Sequence, residues 1–187
     1  MKLALTTVVG ALLLSACASP ARVEHMQMAA SDPAHRLVRT APQELKQQVG
    51  VHDVTGGKET NPLWFSEVSS AAFRDALEAS MKSVGLYAPG ALGDYKLVVH
   101  LEKLDQPMIG LDMTVTATVN YSLEQRKTGR IILARTLTTP HTATFSDAAI
   151  GVERIRLANE GAVRKNISAI ISELLALDKD KISISVK

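Results

Sequence analysis

Residues 113–123 read Met-Thr-Val-Thr-Ala-Thr-Val-Asn-Tyr-Ser-Leu, with apolar and polar side chains in strict alternation. Successive side chains of a β-strand point to opposite faces of a sheet, so this period of two predicts a strand that is buried on one side only. The other side carries Thr114, Thr116, Thr118 and Asn120, which we expect to face water or a partner. A sheet with one solvated face is typically antiparallel and covered by helices on its other face.

Further β-prone runs lie on both sides of this stretch, at residues 48–55, 95–102, 131–138 and 182–186. Pro140 is expected to interrupt the sheet ladder or to mark an edge strand, with residues 142–145 resuming the strand. Arg126 to Arg130 form the expected hairpin loop between residues 113–123 and the run at 131–138. The sequence therefore predicts about five strands.

Two amphipathic stretches separate these runs. The first begins after Ser66 as the expected N-cap and ends at Gly85, a residue type that commonly terminates helices. The second runs from about Ser146 to Leu177, and Gly161 within it either permits close packing on the sheet or marks a bend. Its charged residues are expected to form a solvated face: Glu153, Arg156, Glu160 and Arg164. The element order β-α-β-β-β-α-β predicts an α+β two-layer sandwich, with a mainly antiparallel sheet and two helices packed on one face.

The N-terminus has the parts of a signal peptide: Lys2, an apolar run from Leu3 to Leu14, and small residues after it. A run of about a dozen residues is shorter than the ~20 needed to span a bilayer. Leu14-Ser15-Ala16-Cys17 resembles a bacterial lipobox; the alternative is an ordinary signal peptide that ends near a cysteine. The resemblance implies cleavage between Ala16 and Cys17, with a diacylglycerol and an N-acyl chain on Cys17. Ala18 in the next position implies attachment to the outer membrane, with the domain in the periplasm.

Residues 18–46 are rich in Ala, Pro, Gln, Ser and His and show no sustained period, which is typical of a tether. The alternative is that part of this segment, such as Leu37–Val38, docks on the domain. We therefore expect a signal peptide at 1–16, a lipidated cysteine and flexible tether at 17–46, and a single domain at 47–187.

Composition excludes several classes of function. The formal net charge is +2, which gives no basic surface of the kind that binds nucleic acid. Aromatic residues make up 4% of the chain and leave little material for base-stacking or sugar-binding surfaces. Cys17 is the only cysteine, so an intramolecular disulfide cannot form.

Catalytic and metal-binding motifs are missing from the sequence. It contains no HExxH motif, no i,i+4 histidine pair and no GxSxG motif. Isolated candidates remain for a metal or a carboxylate pair, but nothing selects them over ordinary surface residues: His52, His100, His141, Asp53, Asp112 and Glu153. We therefore expect no catalytic residue, no metal, and no cofactor apart from the covalent lipid.

Four phrases, at residues 54–60, 106–110, 112–119 and 151–160, resemble an uncharacterised proteobacterial outer-membrane lipoprotein family. More loosely, the layout is similar to YajG-type lipoproteins and to the auxiliary lipoproteins of ABC-type transporters. The resemblance implies an accessory role and brings no catalytic motif with it.

Together these observations predict a non-catalytic, lipid-anchored envelope lipoprotein that binds another envelope protein during transport, assembly or outer-membrane maintenance. The binding surface is expected to be a sheet edge or the threonine-rich face of residues 113–123. The main alternative is a periplasmic carrier that holds a lipid or small apolar ligand in a cleft between helix and sheet. A third hypothesis is an enzyme that uses dispersed carboxylates or histidines.

Overall fold

The computed structural model describes residues 18–62, 65–89 and 92–178. The expected signal peptide, the cleavage site at Ala16–Cys17 and the expected last strand at 182–186 lie outside these residues.

The described residues form one four-stranded sheet with the spatial order β1-β2-β3-β4. Its strands are β1 (Val49–Thr55), β2 (Tyr95–Asp105), β3 (Met113–Gln125) and β4 (Ile131–Ala143). β2, β3 and β4 are antiparallel neighbours, whereas β1 is parallel to β2. The parallel pair arises because a helix connects β1 to β2 and returns the chain to the starting end of the sheet. The predicted α+β class is confirmed, but the sheet is mixed, and its described part has four strands where about five were expected.

β4 continues through Pro140 to Ala143, so of the two alternatives for Pro140, an interrupted ladder or an edge strand, the interruption is wrong. Pro140 lies opposite Thr116 of β3. Among the described strands β4 is an edge strand, which tolerates proline because one set of its backbone groups has no partner in the described sheet. The expectation that Pro140 marks an edge is therefore correct.

Helices α2 (Ser70–Ser83) and α3 (Gly151–Leu175) pack on one face of the sheet, and a short helix α1 (Val23–Met26) lies against both of them. Fully buried side chains fill the space between helices and sheet. The largest of them on these elements are Phe73, Leu77, Met81, Leu97, Leu123, Ile167, Ile170, Ile171 and Leu174. This layer forms because the apolar stripes of α2 and α3 and the apolar alternation of the strands all face it.

The start of α2 differs from the sequence prediction, whereas its end agrees with it. The helix begins at Ser70 because the Ser69 hydroxyl, rather than that of Ser66, accepts the backbone N–H of Ala72 at 3.1 Å. Ser66 is instead fully buried. Gly85 follows the helix with φ +73°, as predicted, and Leu86 N donates to Met81 O at 3.0 Å to close the last turn.

α3 begins at Gly151, later than the Ser146 that the sequence predicts. A local turn holds the preceding residues, because Thr144 N donates to Asp147 Oδ2 at 2.7 Å. Gly161 permits close packing on the sheet: a Cβ atom at this position would lie 1.9 Å from the His141 ring on β4. This resolves the two alternatives for Gly161 in favour of close packing.

Residues 18–46 are not a flexible tether in this structure. After α1 they form 3-10 helices at Pro33–Arg39 and Gln43–Leu45. Met26 and Leu45 are fully buried in the main core. Of the two alternatives that the sequence left open, the structure shows the docked one, because these scattered apolar residues cover the outer sides of α2 and α3.

Hydrogen bonds reinforce this docking. Met28 N donates to Ser80 Oγ on α2 at 2.9 Å, and Ser168 Oγ on α3 donates to Asp32 Oδ2 at 2.6 Å. Glu160, expected on a solvated face, is 2% exposed because the docked segment covers it. The charged ladder of α3 is therefore an attachment site for the N-terminal segment at this position.

Candidate functional site

Within the part of the chain that the structure describes, both long helices lie on one face of the sheet, and we call the opposite face the helix-free face. Thr114, Thr116, Thr118 and Asn120 alternate along β3 with buried residues and therefore project from this face together. Thr114 is exposed and the other three are half-buried. The structure thus brings the four predicted residues into one row, as the alternation implied.

A second row of hydroxyls lies alongside on β4. Thr142, Thr138 and Thr136 stand opposite Thr114, Thr118 and Asn120, respectively. The sequence analysis did not single out this second row, although β4 carries the same threonine-rich composition. The two rows together make the helix-free face a surface of paired polar side chains.

Hydrogen bonds tie these rows to each other and to β2. Thr114 Oγ1 lies 2.8 Å from Thr142 Oγ1 and Thr136 Oγ1 donates to Asn120 Oδ1 at 2.6 Å. Asn120 Nδ2 donates to Glu102 Oε2 on β2 at 3.0 Å. These contacts fix the side-chain rotamers, so a partner that binds here would order few further groups.

Charges of both signs flank the helix-free face on β2. Lys96 pairs with Glu124 at 2.8 Å, and Lys103 pairs with Asp105 at 3.0 Å. The surface around the threonines is therefore mixed rather than uniformly basic or acidic.

One end of the sheet has a different character, and we call it the loop end. β1, β2 and β4 finish there, and β3 begins there. It carries loop 106–112 between β2 and β3 and loop 144–150 between β4 and α3. Five large apolar side chains on these loops are exposed: Met108 by 81%, Ile109 by 92%, Leu111 by 76%, Phe145 by 55% and Ile150 by 48%.

Buried Arg154, in the first turn of α3, links these two loops. Its Nη1 donates to Ala148 O at 2.7 Å and to Ala149 O at 2.8 Å, and its Nη2 lies 3.4 Å from Gly110 O. Its guanidinium lies 5.3 Å from the centre of the Phe145 ring. The sequence placed no role on Arg154, and no local pattern distinguishes it from the other arginines of α3.

The loop end is also where the described chain begins. Ala18 is 6% exposed, and its N–H donates to Pro62 O at 2.8 Å. Four residues after Pro62, Ser66 O accepts from Gln106 Nε2 at 3.0 Å and from Asn159 Nδ2 at 2.7 Å. Pro62 therefore contacts Ala18, and Ser66 contacts the base of loop 106–112.

An open cleft of about 360 Å³ lies where the N-terminal segment meets α3 and β4, and His25, His141 and Glu160 contribute to its wall. Burial, with Lys165 and Arg164 nearby, lowers the pKa of His141. Hydrogen bonds from Thr144 lower the pKa of Asp147, which also lines the cleft. The cleft is polar and open, and it lies at the surface rather than between the helices and the sheet, where the carrier hypothesis expected a binding site.

Three of the other isolated candidates, His100, Asp53 and Asp112, have separate partners. His100 Nδ1 lies 2.9 Å from Thr55 Oγ1, Asp53 lies 3.9 Å from Arg74, and Asp112 accepts the N–H of Phe145 at 3.1 Å. Across residues 18–62, 65–89 and 92–178, no three His, Cys, Asp or Glu side chains are grouped to hold a metal ion. Within these same ranges, no helix is long and apolar enough to cross a bilayer.

No protein-family model and no curated protein matches this sequence. Solved structures do match its fold. A protein of the DUF330 family from Xanthomonas campestris superposes with a TM-score of 0.55 at 15% identity, covering 76% of this chain and 93% of that one. A minor lipoprotein from Acinetobacter baumannii gives a TM-score of 0.47 at 11% identity, covering 70% of this chain and 94% of that one. Lipoprotein GNA1162 from Neisseria meningitidis gives 0.41 at 11% identity, covering 68% and 96%.

At such identities the likeness concerns the fold alone. The expected similarity to YajG-type lipoproteins and to ABC-transporter auxiliary lipoproteins stays a prediction. The chain shares the fold of the DUF330 protein from Xanthomonas campestris.

Proposed function

We propose that this chain is a non-catalytic lipoprotein, anchored to the outer membrane through lipid on Cys17, whose periplasmic domain binds another envelope protein. The proposed role is that of an accessory or assembly component in transport or in maintenance of the outer membrane. Support for the anchor comes from the Leu14-Ser15-Ala16-Cys17 pattern. Support for protein binding comes from the helix-free face.

The observation that carries the binding proposal is the ordered polar surface on that face. Helices cover one side of the sheet, while two hydrogen-bonded rows of threonine and asparagine occupy the other. Polar side chains whose rotamers are already fixed lose little conformational entropy on binding. Such a surface suits a partner that presents backbone or side-chain hydrogen-bonding groups.

The size of the face agrees with a protein partner. β3 has 13 residues, which at ~3.4 Å per residue gives a length of about 44 Å. Three strands spaced ~4.8 Å apart are about 14 Å wide, so β2 to β4 offer on the order of 600 Å². A standard protein interface buries ~800 Å² on each partner, an area of the same order.

Photocrosslinking in intact cells tests the binding surface. A crosslinking amino acid at Thr116, on the helix-free face, is expected to capture an envelope protein. The matched control is the same amino acid at Arg39, which is exposed on the docked segment at the helix side. Recovery of free monomer alone from both positions, or equal capture at both, would count against the proposed face.

The anchor has its own test. Labelled palmitate is expected to be incorporated into the wild type, and Cys17→Ser is expected to abolish the labelling. Inhibition of lipoprotein signal peptidase with globomycin is expected to leave the precursor uncleaved. Labelling that persists in Cys17→Ser would refute the proposed lipid site and leave the crosslinking result unaffected.

A further inference from the structure

The loop end exposes a cluster of large apolar side chains to water, which is an unfavourable environment for them. Met108, Ile109 and Leu111 project from one short loop, with Phe145 and Ile150 on the neighbouring loop. Scattered single apolar residues are normal on a protein surface, but contiguous groups usually mark an interaction site.

This cluster is held in place rather than loosely displayed. Arg154 bonds to the carbonyls of both loops, and Asp112 accepts the N–H of Phe145 at 3.1 Å. Gln106, at the base of the first loop, donates to Ser66 O at 3.0 Å. The apolar side chains therefore stand on loops whose backbones are fixed to the body of the domain.

The start of the described chain contacts the segment that follows β1, and the same segment contacts the base of loop 106–112. Ala18 N donates to Pro62 O, and Ser66 O accepts from Gln106, at the base of loop 106–112. Cys17 directly precedes Ala18, and consecutive Cα atoms lie only ~3.8 Å apart across a peptide bond. Lipid chains on Cys17 would therefore start within one residue of the folded body, at its loop end.

We propose that the loop end inserts Met108, Ile109 and Leu111 into the lipid interface beside the acyl chains of Cys17, so that a phospholipid membrane is the partner of this surface. The inference rests on the proposed lipidation of Cys17. Apolar faces of membrane-surface proteins are buried ~5–10 Å into the boundary between headgroups and acyl chains, a depth that side chains on a projecting loop can reach.

The charges near the loop agree with this partner. The two acids closest in sequence to the apolar residues are already engaged, since Asp112 bonds to a backbone N–H and Asp105 pairs with Lys103 at 3.0 Å. Insertion therefore leaves both carboxylates with polar partners, an ion pair for Asp105 and a backbone N–H for Asp112.

Insertion also fixes the orientation of the domain. Because loops 106–112 and 144–150 lie at one end of the strands, the strands would rise from the membrane rather than lie along it. The helix-free face would then point sideways into the periplasm, along about 44 Å of β3. A protein bound to this face would stand next to the domain instead of between the domain and the membrane.

Depth-dependent fluorescence on the full, lipidated chain tests the inference. Cys17 is the only cysteine, and the proposed lipidation blocks its sulfur as a diacylglyceryl thioether, so Ile109→Cys introduces a single free thiol for an environment-sensitive fluorophore. The matched control is Ile131→Cys, since Ile131 is 58% exposed at the start of β4, away from the loop end. Both proteins are reconstituted into vesicles of phosphatidylethanolamine and phosphatidylglycerol, with and without brominated acyl chains.

We expect blue-shifted emission at position 109 and several-fold stronger quenching by brominated chains there than at position 131. The unsubstituted protein gives a second readout: amide hydrogen exchange of residues 106–112 is expected to slow in vesicles, whereas exchange of residues 126–130 is not.

The possible failures are distinguishable. Mass spectrometry that finds no acyl chain on Cys17 would overturn the anchor and the inference together. A protein that is acylated and floats with vesicles, but whose label at position 109 remains water-exposed, would overturn membrane insertion alone. A label at position 109 that is shielded in native membranes but not in pure lipid vesicles would assign the loop end to a protein partner, against the inference.

Discussion

Arg22 and Glu160 are 138 residues apart in sequence, and their contact fastens the N-terminal segment to α3. Arg22 donates three hydrogen bonds of 2.9 Å to the Glu160 carboxylate, from its backbone N, Nε and Nη2. We expect Arg22→Leu to loosen residues 18–46 and to destabilise the whole domain, because it leaves a carboxylate that is 2% exposed with weaker partners.

The magnitude follows from the remaining contacts. Removing one partner of a fully buried ion pair costs about 3–5 kcal/mol. Here the Arg22 side chain is one-third exposed, and its backbone N–H remains in the variant. His25 Nδ1 and Arg156 Nε also remain, at 3.5 Å and 3.9 Å from the carboxylate. We therefore expect a loss of about 2 kcal/mol, near the value for charge-assisted hydrogen bonds. For a domain of this size that loss lowers the Tm by roughly 4–8 °C.

The assay combines urea unfolding with limited trypsin digestion. In Arg22→Leu, cleavage after Arg36 and Arg39 is expected to accelerate before global unfolding occurs. The control is Arg135→Leu, which removes a 2.7 Å contact to Glu173, also on α3, but one that is solvent-exposed. Exposed pairs contribute ~0.2–1 kcal/mol, so this control should change little. Equal losses in the two variants, or unchanged cleavage in Arg22→Leu, would refute the role assigned to the buried pair.

Three further changes test the packing. Gly161→Ala places a Cβ 1.9 Å from the His141 ring and should lower the free energy of unfolding in urea by about 1–3 kcal/mol. The control Gly151→Ala meets only side-chain atoms at 3.8 Å and should be near neutral. Similar losses of stability at both sites would contradict the close-packing role of Gly161. Ser69→Ala should lower the free energy of unfolding by ~1 kcal/mol because the N-cap of α2 is lost. An unchanged midpoint of urea unfolding would show that Ser69 is not the residue that caps α2. Burial raises the pKa of Tyr121 well above its usual value. The folded state therefore retains a proton that the unfolded state loses, so stability falls as the pH rises above ~10, and Tyr121→Phe should flatten this decline in alkaline unfolding curves.

Short-range patterns in the sequence were sufficient for most elements. The alternation of residues 113–123 correctly placed Thr114, Thr116, Thr118 and Asn120 on one face. Gly85 correctly marked the end of α2, because a left-handed residue after the last turn is a local requirement. Ser66 was wrong as the N-cap, because Ser66 and Ser69 are equally suitable by residue type and tertiary packing buries the first.

Residue patterns did not reveal that β1 pairs with β2 in parallel. β1 is short, and the alternation of one isolated strand does not reveal the direction of its neighbour. The sequence did not reveal the loop end either, because the apolar residues of loop 106–112 could equally belong to a core. Only the fold shows that no described residue covers them.

By itself the sequence determined the faces of the strands and helices and the lipobox pattern at Cys17, because periodicity and motif spacing act over a few residues. Only the tertiary structure decided that residues 18–46 dock on the domain and that Glu160 is buried beneath them. A polar segment without a period is flexible in isolation, and a charged ladder on a helix is solvated in isolation. The segment becomes ordered and Glu160 becomes buried because each supplies hydrogen-bonding partners to the other, through contacts such as Arg22–Glu160 that join the N-terminal segment to α3.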